Sequence, residues 1–109
     1  MMDTFFHVTE QNFEQEVLKA SGPVLLEFGA VWCGPCKQLE PELAKLGSEW
    51  GDKVRLVKAD VDESPNLTMK FGVMGVPTII LFVGGQAKGR LTGYQPRQRI
   101  LEKLGPYLG

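Results

Sequence analysis

Hydrophobic positions along the chain follow two different periods, and each period predicts its own kind of element. Short apolar runs predict strands, and the Gly84-Gly85 pair predicts a hairpin into the last of them. The five predicted strands are residues 5–8, 24–28, 54–59, 78–83 and 87–92. Between the strands, apolar residues recur every three or four positions, which predicts helices with one buried face each.

Four helices are predicted in this way. Thr9 offers an N-cap for the first helix, Ser64 and Pro65 offer a cap and a first-turn proline for the third, and Pro96 opens the last. The residues on their buried faces are, in chain order, Phe13, Val17, Leu18, Leu39, Leu43, Leu46, Trp50, Leu67, Phe71, Ile100, Leu101, Leu104 and Leu108. The order βαβαβαββα predicts an α/β fold, in which a central mixed five-stranded sheet is flanked by four helices on both of its faces.

Composition narrows the class of protein. The chain has 109 residues, 43% of them hydrophobic, and a formal net charge of -1. That length fits a single domain, residues 1–109, with a sizeable core. The balanced charge gives no electrostatic basis for binding nucleic acid or an anionic membrane, and the longest apolar run, residues 79–83, is too short to span a bilayer. The first six residues lack the pattern of a secretory signal, so we expect a cytoplasmic protein, and nothing argues against a monomer.

The only two cysteines carry the most specific chemical signal, Trp32-Cys33-Gly34-Pro35-Cys36. They lie where a strand gives way to a helix, whose first turn offers unpaired N–H groups and the positive end of the helix dipole. We expect this position to lower the pKa of the Cys33 thiol, and the thiolate is the form that attacks a disulfide. Cys36, one turn further on, is placed to attack the mixed disulfide and release the product. Gly34 and Pro35 allow the tight turn and fix where the helix begins.

Three other interpretations compete with redox chemistry for the cysteine pair. A zinc site needs two further ligands, but the chain has no other Cys and a single His, His7, so carboxylates would have to complete it. A structural disulfide that closes so short a loop contributes only about 2 kcal/mol in the loop-closure model. Two idle buried thiols would leave the strand-to-helix placement unexplained. Redox chemistry is therefore the favoured hypothesis, with no bound cofactor and no metal.

The five-residue motif, followed by Lys37, resembles the active-site signature of the thioredoxin family. Further matches to the family are Phe28, Ala30, Pro41, Val76-Pro77-Thr78, Gly84-Gly85 and Gly93. The resemblance covers nearly the whole chain and implies the thioredoxin fold. It also implies general reduction of disulfide-containing proteins by dithiol–disulfide exchange, with Cys33 as nucleophile and Cys36 as resolving thiol. A thioredoxin reductase would supply the electrons.

Pro77 opens a central apolar strand, which is unusual unless the proline stands at the strand start or in the cis form. The residues alone leave cis and trans equally open, and the family resemblance favours cis, which would free the polar groups of Val76 to pair with an extended substrate peptide. A shallow apolar docking surface around Cys33 is predicted from Trp32, Val61, Gly75, Val76, Gly93 and Tyr94. For Trp32 the alternative is a half-buried core aromatic, and for Val61 and Tyr94 simple packing is equally open.

Glu27 lies in a strand that we expect to be covered on both faces, where an ionised carboxylate is costly. Burial therefore predicts a raised pKa and a protonated resting state. Thioredoxins usually carry Asp at this position, and the resemblance implies that Glu27 is the general base for Cys36, tuned by Lys58 on the neighbouring strand. The alternative is a Glu that reaches out to water. Gly29 is a second departure, since the family typically has Trp there.

Pro35 separates subclasses of the family. Oxidases and isomerases of this fold more often carry His between the cysteines, and a His would stabilise the thiolate and make the disulfide more oxidising. Pro at this position resembles the reducing members, which favours a reductant. Two rival functions stay open: a thioredoxin-like binding or chaperone subunit, and a reductase dedicated to one partner.

Overall fold

A computed structural model describes residues 5–109. Residues 1–4, on which the expectation about a secretory signal and the start of the predicted domain partly rest, lie outside this range. The described residues form one five-stranded sheet with the spatial order β1-β3-β2-β4-β5. The strands are β1 (Phe6–His7), β2 (Val24–Gly29), β3 (Arg55–Asp60), β4 (Thr78–Val83) and β5 (Gln86–Thr92). All five predicted strands are confirmed, with each end within one residue of its expected position.

β2 is the central strand, and its position explains why it tolerates no exposed side chain. It runs parallel to β3 and antiparallel to β4, and all six of its residues are buried. The antiparallel pair of β4 and β5 is joined by Gly84 and Gly85, whose φ angles are 60° and 79°. Two successive positive φ angles are what a two-residue hairpin of this hand requires, so the predicted turn is confirmed.

Helices cover both faces of the sheet, as predicted, and we number the three α-helices in chain order. They are α1 (Gly34–Trp50), α2 (Pro65–Lys70) and α3 (Arg97–Leu104). α1 and α3 pack on the face that Leu25 presents, whereas α2 packs on the opposite face with Leu26 and Phe28. Because side chains alternate along a strand, Glu27 lies on the same face as Leu25, underneath α1. The fold thus aims one polar residue of a buried strand at the helix that carries the cysteines.

The first helix differs in type from the predicted α-helix. It is a π-helix, Glu14–Leu18, preceded by a turn in which the Thr9 hydroxyl accepts a hydrogen bond from the Gln11 N–H at 3.3 Å. A π-helix has a wider turn than an α-helix. Phe13 and Val17 are nevertheless buried, as the hydrophobic period predicted.

The cap of α2 also differs from the prediction. Ser64 directly precedes the helix, but its hydroxyl makes no capping hydrogen bond. The side chain is buried instead, and the Ser64 carbonyl accepts hydrogen bonds from the Thr68 N–H at 3.1 Å and from the Thr68 hydroxyl at 2.8 Å. Pro65 opens the helix as expected. No helix within residues 5–109 combines the length and the apolar character needed to cross a membrane.

Candidate active site

Cys33 and Cys36 form a disulfide at the N-terminus of α1. Their Cα atoms are 5.3 Å apart, a normal separation for a disulfide. Cys33 is the N-cap residue, with extended backbone angles, and its sulphur accepts a hydrogen bond from the Cys36 N–H at 3.1 Å. Gly34 and Pro35 occupy the start of the helix. The strand-to-helix placement inferred from the sequence is thus confirmed, and a backbone N–H of the first turn points at the Cys33 sulphur.

The cysteines are covered, while the residue before them is not. Cys33 and Cys36 are 3% and 1% exposed, whereas Trp32 is 65% exposed. The alternative that Trp32 is a half-buried core aromatic is therefore wrong. The Trp32 indole donates its Nε1–H to Asp62 Oδ2 at 2.8 Å, which ties the ring to the loop after β3.

Asp62 was not among the residues predicted from the sequence. β2 and β3 are parallel neighbours, so their carboxyl ends meet at one edge of the sheet. That edge carries both the cysteine loop, after β2, and the loop that contains Asp62, after β3. The parallel order of the two strands was the available signal for this contact.

The predicted docking residues form two groups in the structure. Val61 and Val76 pack against the buried cluster of Ala30 and the two cysteines. Their predicted position beside the disulfide is therefore confirmed, although their role in docking stays a prediction.

The second group lies on two segments, the loop before β4 that brings Val76 to the disulfide and the segment after β5. The Val76–Pro77 peptide is cis, as the family resemblance implied. Gly93 donates its N–H to the Pro77 carbonyl at 2.7 Å, and the Gly75 carbonyl accepts a hydrogen bond from the Thr78 hydroxyl at 2.7 Å. Tyr94 follows Gly93 and is exposed, and its part in the docking surface stays a prediction.

Arg90 holds the start of the same loop and was not predicted. Its guanidinium on β5 donates hydrogen bonds to the Phe71 carbonyl and, at 3.5 Å, to the Gly72 carbonyl, where α2 ends. A cation at the C-terminus of a helix pairs with carbonyls that the helix itself leaves unbonded. The contact fixes where the chain leaves α2 on its way to Val76.

Glu27 is completely buried, with 0% of its surface exposed. The alternative that it reaches out to water is therefore wrong. Its carboxylate lies beside Cys36, as the surroundings of Gly29 show. A Cβ built on Gly29 would stand 3.3 Å from Cys36 Sγ and 3.4 Å from Glu27 Oε2. The resolving sulphur and the buried carboxylate thus border one small space, and they are no further apart than the sum of those two distances.

Lys58 is the register partner of Glu27 in the parallel pair of β2 and β3. Its Nζ forms an ion pair with Glu40 Oε2 at 2.9 Å, and the two side chains are 21% and 23% exposed. Glu40 lies on α1, four residues and about one helical turn after Cys36. It was not predicted, although its spacing from Cys36 on the helix that covers β2 was a readable signal.

The described residues offer no set of ligands for a metal ion. Within residues 5–109, no group of three or more His, Cys, Asp or Glu side chains lies close enough together to hold one. The two cysteine sulphurs are bonded to each other. The buried disulfide stands at a helix N-terminus beside a buried carboxylate, and this is the arrangement of a redox-active pair.

Comparison with known proteins gives one consistent result. The thioredoxin family model matches residues 4–105. A thioredoxin of Alicyclobacillus acidocaldarius subsp. acidocaldarius is 42% identical over 101 residues, which are 93% of this chain and 95% of the relative. A thioredoxin of Acidithiobacillus ferridurans is 40% identical over 108 residues, which are 99% and 100% of the two chains. Thioredoxin 2 of Chlorobaculum tepidum is 34% identical over the full length of both.

These matches agree with the fold and with the chemistry of the cysteine pair. The mixed five-stranded sheet and its helices are those that the family resemblance implied. The disulfide between Cys33 and Cys36 is the redox centre that the chemistry requires. The chain is a thiol–disulfide oxidoreductase of the protein-disulfide reductase type, and it belongs to the thioredoxin family.

Proposed function

We propose that Cys33 is the attacking thiolate of this reductase and Cys36 the resolving thiol. The observation that carries the assignment is the N-cap position of Cys33, whose sulphur accepts the Cys36 N–H. The same N–H and the helix dipole would stabilise a negative charge on the Cys33 sulphur in the reduced protein. Cys36 lies inside the first turn, further along the helix than the N-cap position of Cys33. We therefore expect a substrate disulfide to react with Cys33 first.

Reduction of a substrate disulfide takes two steps. The Cys33 thiolate attacks one sulphur of the substrate disulfide, a mixed disulfide forms, and the other substrate sulphur leaves as a thiolate. Cys36 loses its proton and attacks the Cys33 sulphur, which expels the second substrate thiolate. The substrate has gained two electrons and, from solvent, two protons. The protein ends as the disulfide that the structure contains.

Glu27 is proposed as the group that takes the proton from Cys36. The proposal is supported by the space that the carboxylate shares with Cys36 Sγ beside Gly29. A carboxylic acid held away from water is poised to exchange a proton with a neighbouring thiol, because burial weakens its preference for the ionised form. Lys58, its register partner, is proposed to tune that exchange.

Substrates are proposed to dock where apolar side chains surround the disulfide. Trp32 is the largest exposed group there, and Val61 and Val76 flank the cysteines. An extended protein segment that carries a disulfide would lie along this surface, with further contacts from Gly75, Pro77, Gly93 and Tyr94.

The reducing direction is supported by Pro35 between the cysteines, which resembles the reducing members of the family. Electrons are proposed to come from a thioredoxin reductase, and the proposed compartment is the cytoplasm, where thiols are kept reduced. The protein is proposed to act as a monomer on protein disulfides, with no role in binding nucleic acid or membranes. It needs no group other than its own disulfide to carry the electrons.

Dithiothreitol-driven reduction of insulin disulfides tests this function, with Cys33→Ser compared with the intact protein. We expect catalysis that disappears in the variant. Cys36→Ser is the matched variant, since it keeps the nucleophile and should accumulate a mixed disulfide with insulin. No catalysis by the intact protein would overturn general disulfide reduction. It would favour a dedicated reductase, or a binding subunit whose docking survives Cys33→Ser.

A further inference from the structure

We propose that Glu40 is a positioning residue for the resolving step, because it pairs with the Lys58 ammonium and so forms the outer member of a charged series Glu27–Lys58–Glu40. The inference rests on the proposed role of Glu27 as proton acceptor for Cys36. It adds a residue on α1 and a direction of effect that the role of Glu27 does not itself contain.

The sheet fixes the relative position of Glu27 and Lys58. Glu27 and Lys58 stand opposite each other in the parallel register of β2 and β3. Neighbouring strands lie about 4.8 Å apart, and register partners present their side chains on the same face. That face is the one under α1, since Leu25 on β2 packs with the leucines of that helix. The aliphatic stem of Lys58 therefore starts beside the buried acid.

The helix α1 fixes the position of Glu40 relative to Cys36. Cys36 and Glu40 are four residues apart on α1, so their side chains lie on one side of the helix. Cys36 Sγ borders the space beside Gly29 that Glu27 also borders, and Glu40 accepts the Lys58 ammonium at 2.9 Å. The helix thus supplies both the thiol that must lose a proton and the carboxylate that pairs with the Lys58 ammonium.

The ion pair between Glu40 and Lys58 is partly buried, so its charges can act on the Glu27 carboxylate. Another ion pair of the same helix, between Glu49 and Arg97, has exposed side chains and a longer distance of 3.5 Å. Charges in the open are screened by water and salt, whereas charges a few ångströms from a buried group act on it strongly. The negative charge of Glu40 therefore weakens the stabilisation that the positive charge of Lys58 gives to the ionised Glu27 carboxylate. Glu27 thus remains a strong enough base to take the thiol proton.

Other charged groups on the surrounding elements are few among the described residues. His7 on β1 is in register with Lys58 on its far side, Asp60 follows Lys58 by two residues on β3, and Lys37 follows Cys36 on α1. The β4 partner of Glu27 is Ile79, which carries no charge. His7 is the register partner of Lys58 on β1, so His7→Gln serves as a control for its contribution.

The resolving step can be observed separately in the reduced protein with an aromatic disulfide, 5,5′-dithiobis(2-nitrobenzoate). The first thionitrobenzoate released reports attack by Cys33, and the second reports attack by Cys36 on the mixed disulfide. We expect Glu40→Gln to leave the first phase unchanged. In the second phase, the acidic limb of the pH profile should move down by about half a pH unit, because Lys58 then stabilises the ionised form of Glu27. Its plateau should fall about threefold, because a stabilised carboxylate is a weaker base.

Three comparisons make the result specific. Glu49→Gln removes a carboxylate from the same helix and should change neither phase. Glu40→Asp keeps the charge and should restore the pH profile. In a Glu27→Gln background, Glu40→Gln should have no further effect on the second phase, because the group through which it acts is gone.

Each adverse outcome identifies what has failed. A second phase that Glu27→Gln leaves unchanged would overturn the proposed role of Glu27, and the inference about Glu40 with it. A second phase that is slowed by Glu27→Gln but identical in Glu40→Gln and Glu49→Gln would overturn the positioning role of Glu40 alone. Equal slowing by Glu40→Gln with and without Glu27 would show that Glu40 acts by another route, which also overturns it.

Discussion

Successive residues of β2 point to opposite faces of the sheet, and the two faces differ in the kind of side chain that they bury. On the face under α2, Phe28 belongs to an aromatic group with Phe13, Phe71 and Phe82, in which the Phe71 and Phe82 rings meet nearly edge to face at 5.4 Å. On the face under α1, Leu25 packs with leucines, but the residue that follows it on that face is Glu27. One face is entirely suited to burial, and the other interrupts its apolar packing with an acid close to the disulfide.

This difference separates stability from chemistry in a strand of six residues. An apolar face gains free energy with every side chain it buries, whereas a buried acid costs free energy that the rest of the core must offset. Buried acids that carry such a cost are concentrated at functional sites. The aromatic face should therefore determine unfolding, and the acid-bearing face should determine the rate of thiol exchange.

Phe82→Ala should produce the largest effect and should confine it to stability. Phe82 is buried and contacts both Phe13 and Phe71, so its truncation leaves a cavity worth about 3–5 kcal/mol of unfolding free energy. Urea denaturation measures this loss, and the insulin assay on the folded variant at low temperature should give nearly the intact rate. A rate that fell as steeply as the stability would contradict the separation of the two faces.

Glu27→Gln, on the other face of β2, should lower turnover and leave stability equal or higher. Without an acid beside Cys36, turnover should fall about tenfold or more, since positioned proton transfer contributes at least that much in other enzymes. Stability should stay equal or rise, because a neutral amide replaces a group whose charged form is costly to bury. Insulin turnover and urea denaturation of the same preparation give both values. Equal turnover of the two proteins from roughly pH 6 to pH 9, around the usual range of thiol pKa values, would contradict the relay.

Gly29→Ala should have an intermediate effect on the same step. The added Cβ would stand 3.3 Å from Cys36 Sγ and 3.4 Å from Glu27 Oε2, which is closer than such contacts usually are. The sulphur is held by the helix, so the carboxylate has to move away. We expect the resolving phase to slow about threefold, with stability changed by less than about 1 kcal/mol. Gly22→Ala is a useful control, because a Cβ there would meet nothing within 4 Å and the residue precedes β2, at the opposite end of that strand from the cysteines. A resolving phase in Gly29→Ala equal to that of the intact protein would contradict this contact.

The hydrophobic pattern was sufficient to predict the sheet, because strand position depends on local alternation and turn chemistry. Thr78–Val83 was predicted with both ends correct, since a continuous apolar run between a Val-Pro pair and a Gly-Gly pair leaves little freedom. The type of the first helix was not predicted, because a π-helix and an α-helix bury Phe13 and Val17 equally well. Sequence periodicity does not distinguish them over so short a segment.

The candidate site was predicted where its residues lie in one motif or one strand. The positions of Cys33, Cys36 and Glu27 could be predicted because the strand-to-helix junction and the central strand follow from the pattern itself. Asp62, Glu40 and Arg90 were missed, and each acts through a side chain that reaches across to another element. Such contacts depend on the packing of elements in three dimensions, and that packing leaves only a weak trace in the order of residues.

Asp62→Ala tests the smallest of these effects and the part of the site that faces substrate. The substitution removes the acceptor of the Trp32 indole N–H, so the exposed ring loses the hydrogen bond that anchors it near the disulfide. A freely turning ring presents the same apolar area but must be ordered again on binding, which costs part of the docking energy. We expect KM for insulin to rise about twofold, with kcat and stability nearly unchanged, since surface substitutions usually shift stability by less than about 0.5 kcal/mol. Asp52→Ala, on the exposed turn after α1, is the matched control. A lowered kcat with an unchanged KM would show instead that Asp62 acts on the thiol chemistry rather than on docking.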